Sequence, residues 1–364
     1  MSAGSGPAAH ALKPIVLGPN QPPARPYRGG AGIAAFRGAS PHSTALDSAA
    51  RPSDFLPEDF VGSTTEVFGG GAGLTRLPDG RILRDAIERD PLAHLGETHV
   101  ARFGADPAVL VKLLHTGERL FVHFHPDAGF ADDHFGLRRG KTEAWVIIAT
   151  ESSADAHAYL GFNRDIDEAE VAHWFATQDV SAMLAAMNRV SVRPGDTLYV
   201  PATVPHAIGA GITLLELQEP VDLSILLEYR GFNGLTEQSA LLGLDRSVAL
   251  ADLDRHRWDA AQLATLTGSP RASVPGQGIG EAVVPLFPEV ADAYFRAERI
   301  ELDAASIQLD ASFAILVVLD GGGTLTTADD GLHVTAGMTV LVPFGAGPVQ
   351  LAGSLSAVRC MPPS

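Results

Sequence analysis

Cysteine is almost absent from this 364-residue sequence, with Cys360 as its one representative. A single cysteine closes no internal disulfide, so a disulfide-stapled fold is excluded and a reducing cytoplasm is the expected location. Positive charge is short as well: 26 Lys and Arg stand against 43 Asp and Glu, for a formal net charge of −17. That balance offers no basic footprint able to displace phosphate counterions, which argues against a nucleic-acid partner. A small anion is still allowed, because a local cluster of cations can oppose the global sign. No apolar run approaches the ~20 residues that span a bilayer, so no membrane partner is expected. "MSAGSGPAAHALKPIV" shows no charged segment leading into an apolar one and does not read as a secretory signal. The "GGGAG" run at residues 69–73 lacks the GK[ST] ending of a phosphate-binding loop and reads as a turn.

What is present is ordinary globular composition, 46% hydrophobic and 19% charged, in a chain long enough for a large core. Residues 1–25 are rich in Pro, Gly and Ala and predict a poorly ordered tail. "YRGGAGIAAFRG" then predicts a first strand. "DGRILRDAIERDPLAHLG" carries helical apolar spacing, and "DEAEVAHWFATQDVSAMLAAMNRV" predicts two short helices, the second capped by Asp179. Between and after them lie short segments rich in Val, Ile, Leu and aromatics, punctuated by Gly and Pro. They are "AVLVKLLHTG", "RLFVHFHP", "TEAWVIIAT", "DAHAYLGF", "RVSVRPGDTLYVPA", "ITLLELQE" and "LSILLEYRGF". This spacing predicts an antiparallel sandwich or barrel with a small helical insertion rather than βαβ units. "VTAGMTVLVPFGAGPVQL" near the end echoes "VRPGDTLYVPATVPHAIGAG", as two related barrels in tandem would. The expected organisation is a metal-binding unit over 26–230 with a helical insertion at about 165–189. A partly helical connector over 231–280 and a degenerate β unit without metal ligands over 281–364 follow.

The chemistry concentrates in three places. In an extended strand residues i and i+2 point the same way, so His123 and His125 of "VHFHPD" can reach one cation while Phe124 packs behind them. Glu143 opens the strand after "GKT", and His206 follows the Pro-rich "YVPATVP". An isolated HxH pair, a lone strand Glu or a lone His is ordinarily structural. Three His and one Glu at strand ends of one barrel form a donor set for one divalent ion, Zn²⁺ first, with Mn²⁺, Fe²⁺ or Ni²⁺ as alternatives.

The order "YRGG", "PEDFVGST", "LRDAIERDPLAHLG", "LVKLL", "VHFHPD", "GKTEAW", "PHAIGAG" and "LLELQ" resembles the class I, cupin-type mannose-6-phosphate isomerases in their short bacterial form. The similarity runs from about Tyr27 to about Leu227. The fold it implies is a mainly β cupin, a double-stranded β-helix of jelly-roll type. The metal ligands it implies are His123, His125, Glu143 and His206, with His123 standing where the family usually has Gln. By the same resemblance Lys112, Lys141 and Glu216 match cavity positions, and Asp222 is kept. Leu226 falls where the family has an arginine, and Arg230 lies four residues later, about 13 Å further along an extended chain.

The resemblance implies an aldose–ketose isomerase acting through an enediol on mannose 6-phosphate, fructose 6-phosphate or a related, unphosphorylated sugar. Lys141 and Glu216 are the candidate proton-transfer groups. Lys112, Asp222, Arg230 and Trp145 are candidate substrate contacts, Trp145 by stacking on a sugar face. Two other classes fit the same donor set: another cupin reaction such as epimerisation or oxygenation, and a non-catalytic sugar-binding cupin. Either a monomer or a homodimer is compatible with the sequence.

Overall fold

A computed structural model describes residues 12–23, 25–38, 54–151, 155–268 and 281–364. Three antiparallel sheets carry the fold. One runs in the order Thr267–Gly268, Thr197–Val200, Glu143–Thr150, Ile212–Gln218, Leu110–Thr116 and Glu58–Val61. Facing it is a sheet of Ile225–Leu226, His123–Phe124, His206–Ile208, His157–Phe162 and Met187–Ser191. The third is built on the long strands Arg296–Leu309, Ala314–Thr326 and Val349–Met361. The expected class, mainly β with cupin barrels in tandem and a small helical insertion, is the observed one.

Strand alternation explains how the third sheet serves two cores. Ile315, Val317, Val358 and Cys360 join the large core that holds Leu113, Phe124 and Trp145. Their neighbours Leu316, Val318, Ala357 and Met361 point to the opposite face and pack with Ile300, Val334 and Val340. One face is therefore a wall shared with the first two sheets, and the other encloses a core of its own. Cys360 lies buried on the shared face, where burial pushes its thiol up.

The helices follow their sequence signals. Leu83–Arg89 and Pro91–Leu95 are separated at Asp90, because Pro91 cannot continue the first helix, and Asp90 accepts from Ala93 N to start the second. Glu168–Thr177 and Val180–Ala185 form the insertion, with Asp167 and Asp179 accepting from Glu170 N and Ala182 N.

Two expectations are corrected. "YRGGAGIAAFRG" contains no strand: Ala31–Gly38 is a helix, with Ile33 and Arg37 four apart on its buried face. Gly32 lets that helix lie flat on the sheet, since a Cβ there would meet Thr213 Oγ1 at 2.1 Å. The supposed tail is ordered where it is described. Ile15–Leu17 pairs with Thr339–Val342, while residues 1–11 lie outside the described residues. Beyond "VHFHPD" the chain adds a further helix, Ala128–Phe135, which Asp127 caps at Phe130 N.

Arg37 ties the sheets together. Its Nε meets Asp59 Oδ2 at 2.5 Å, its Nη1 donates to Thr339 Oγ1, and Asn20 N donates to Asp59 Oδ1. Asp59 is fully buried. Arg37→Met should therefore leave a buried carboxylate without its counter-charge and destabilise the fold by about 3–5 kcal/mol, read from urea or thermal unfolding.

Candidate active site

The facing sheets meet around three imidazoles. Antiparallel pairing sets His123 directly opposite His206, with ring centroids 4.1 Å apart. His125 follows the same strand, and its ring lies 4.8 Å from that of His206 and 5.0 Å from that of His123. All three are buried, and together they form a group able to hold a metal ion.

Their orientation comes from the backbone. His123 Nδ1 bonds the Phe121 carbonyl at 3.0 Å, His125 Nδ1 that of Leu223 at 2.9 Å, and His206 Nδ1 that of Val204 at 2.9 Å. A carbonyl only accepts, so each Nδ1 carries the proton and each Nε2 turns a lone pair inward. Burial, and then the neighbouring rings, hold His123 well below the usual imidazole range. Burial and then Lys141 take His125 down to about 3. Neutral rings with carbonyl-anchored Nδ1 are what a metal requires of histidine.

Glu143 reaches the same group from the opposite sheet. Its Oε2 lies 2.9 Å from His125 Nε2, and its Oε1 3.2 Å from His206 Nε2. The second approach lacks hydrogen-bond geometry, which leaves His206 Nε2 as a buried nitrogen without a hydrogen-bond partner among the described residues. Burial opposes the Glu143 charge, but Lys141 and then His125 more than offset it and hold the carboxyl well below its ordinary range. An orphaned imidazole nitrogen beside an ionised carboxylate fits a divalent cation.

Lys141 Nζ sits 2.6 Å from Glu143 Oε2 and 2.8 Å from His125 Nε2, satisfying the two donors that a metal would also claim. Behind them Trp145 Nε1 donates to Glu143 Oε1 at 3.1 Å and to Glu216 Oε1 at 3.3 Å. Burial and then the Glu143 charge raise the Glu216 carboxyl to about 7. Trp145 has no exposed surface, so the expectation that it stacks on a sugar is corrected: it braces two carboxylates from behind.

A second polar group closes the other side of a cavity of about 60 Å³, whose lining includes His123, Lys141, Glu143 and Glu216. Lys112 Nζ stands 3.4 Å from Asp222, 3.6 Å from Glu216 and 3.7 Å from Glu58. The chain has three lysines, and two of them, Lys112 and Lys141, line this cavity. Arg230 is not brought here: it is exposed, and its guanidinium reaches the Thr177 carbonyl. Leu226 is buried opposite His123 in the strand pairing and supplies no charge.

Sequence reasoning missed Arg25, Tyr27 and Glu58 as pocket residues. Arg25 Nε bonds Glu58 Oε1 at 2.9 Å, and its terminal nitrogens meet Asp222 at 3.3 Å. Tyr27 OH donates to the same Glu58 oxygen at 2.8 Å. The Pro-rich composition around Arg25 masks it. The segments "YRGG" and "PEDF" held Tyr27 and Glu58 in plain view, with nothing in their spacing to link them.

The fold and the histidine-lined cavity define a cupin-type protein built around a candidate metal centre. The family description "Mannose-6-phosphate isomerase, cupin domain" matches residues 286–362. The mannose-6-phosphate isomerase ManA of Bacillus subtilis is 29% identical over 72% of this chain and 78% of its own. The mannose-6-phosphate isomerase of Streptococcus mutans is 26% identical over 81% and 88%. The solved mannose 6-phosphate isomerase of Bacillus subtilis shares the fold at a TM-score of 0.64 and 20% identity, covering 96% of this chain and 99% of that one. That of Salmonella typhimurium in its apo form does so at 0.67 and 16%, covering 97% and 100%. In its matched residues, its relatives and its fold, the chain is similar to the class I mannose-6-phosphate isomerases.

His206→Ala should leave the purified protein with well under one metal ion per chain by plasma mass spectrometry. Retention of stoichiometric metal would remove His206 from the ligand set.

Proposed function

We propose that this protein is a metal-dependent aldose–ketose isomerase of the mannose-6-phosphate isomerase type, with His123, His125, His206 and Glu143 as ligands of one divalent ion. The observation that carries this reading is the convergence of three lone-pair nitrogens and an ionised carboxylate beside a second carboxyl, Glu216, poised near neutrality. When bound, a divalent ion, zinc first for this nitrogen–oxygen donor set, would polarise the sugar oxygens as a Lewis acid.

The chain's own residues account for the proton movements. Interconversion removes a proton from C2 of the aldose, forms a cis-enediol and returns a proton to C1. A carboxyl near pH 7 divides between both forms, so Glu216 can take that proton and give it back. Trp145 fixes the carboxylate by its Nε1–H, and Lys112 flanks the other oxygen. Lys141 brings an ammonium that can donate to the oxygen gaining charge at C1 or C2. Among the described residues no helix is long and apolar enough to cross a membrane, which is compatible with the proposed cytoplasmic role.

A metal-replete sample should interconvert an aldose–ketose pair when offered mannose and fructose beside their 6-phosphates. Conversion of none of these would sink the isomerase reading. Glu216→Gln should lower kcat by about 10²–10⁴-fold with metal retained. Glu216 is the base only when ionised, so activity should rise with pH through a limb near 7, and that limb should vanish in the variant.

A further inference from the structure

The cavity contains cations, yet each is already committed to a carboxylate. Arg25 is shared between Glu58 and Asp222. Lys112 stands among Glu58, Glu216 and Asp222, with its Nζ 4.6 Å from the centre of the Phe60 ring. Lys141 is bound to Glu143 and His125. Beyond the lining, Arg119 forks onto Glu228 at 2.6 and 2.7 Å. A phosphate dianion entering here would have to compete with Glu58 and Asp222 for the guanidinium while lying in the field of both.

One acceptor, by contrast, is left over. Glu58 Oε1 takes two donors, Arg25 and Tyr27, whereas Glu58 Oε2 has no hydrogen-bond partner among the described residues, where Lys112 stands 3.7 Å away. Glu58 is only 4% exposed, so this oxygen lacks ready hydration. Burial opposes its charge, but Arg25 and then Lys112 hold the carboxyl below its ordinary range, so it is ionised and cannot donate. A sugar hydroxyl can donate to it. The dianionic phosphoryl group of a 6-phosphate, which only accepts, cannot.

We propose that this charge-closed wall of Arg25, Glu58, Lys112 and Asp222 reads the hydroxyls of an unphosphorylated sugar and selects against a 6-phosphate. The proposal rests on the isomerase reading and names its substrate class. Paired cations and carboxylates present alternating donors and acceptors, the pattern a neutral polyol answers at each hydroxyl. Leu226 adds no cation on the neighbouring strand to change that balance.

The test compares kcat/KM for mannose and fructose with that for their 6-phosphates, on the full-length, metal-replete protein. The free sugar should lead by at least tenfold; an equal or better phosphorylated substrate overturns the proposal. Because turnover also depends on the isomerase reading, sorbitol and sorbitol 6-phosphate are titrated by calorimetry in parallel. If no sugar turns over, the isomerase reading fails and the binding ratio decides alone. Tighter binding of sorbitol by at least tenfold supports the proposal, while tighter binding of the phosphate, or of neither, overturns it. Glu58→Gln, checked for native melting and metal content, should narrow the preference at least threefold. An unchanged ratio in that variant would overturn the role given to this wall.

Discussion

Three backbone carbonyls, those of Phe121, Leu223 and Val204, decide what the centre of this protein can do. Each accepts from an imidazole Nδ1 and thereby sends the opposite nitrogen's lone pair inward. The carbonyls belong to the segments that lead into His123–Phe124, Ile225–Leu226 and His206–Ile208, so the donor set is anchored where those three strands begin. Burial then keeps the His123 and His125 rings neutral, which leaves their lone pairs available. Glu143, Lys141, Trp145 and Glu216 are arranged in turn around that fixed centre.

The site is divided electrically into two halves. On the histidine side, one carboxylate and one ammonium face neutral nitrogens. On the other, Arg25, Lys112, Glu58 and Asp222 form a closed set of two cations and two anions. Glu216 stands between the halves and feels both, disfavoured by Glu143 and favoured by the lysines. Its intermediate protonation follows from that position.

Much of this was legible in the sequence because it rests on local periodicities. The i, i+2 spacing of His123 and His125, Glu143 at a strand start and His206 after a Pro-rich turn state in one dimension what the sheets assemble in three. The caps at Asp167 and Asp179 are likewise local, and both form. The failures share a cause: they depend on what lies across the fold. Ala31–Gly38 is helical because Ile33 and Arg37 find a sheet and Asp59 to bury against. Arg25 matters because of Asp222, nearly two hundred residues away. Trp145 reads as a stacking surface until the facing sheet covers it. Arg230 reads as a substrate contact until the strand is seen to end at Leu226 and Gln178 to accept from the backbone of Tyr229 and Arg230.

The two-faced third sheet places unequal constraints on descent. Positions such as Leu316 and Val318 face the second core, away from the histidine-bearing barrel, and can drift with their neighbours there. Val317, Val358 and Cys360 must fit the barrel that holds the histidines, so a change there is tested by both halves at once. A unit in this position can shed every chemical role of its own and still not be discarded. Its sequence survives as a wall of its neighbour's core.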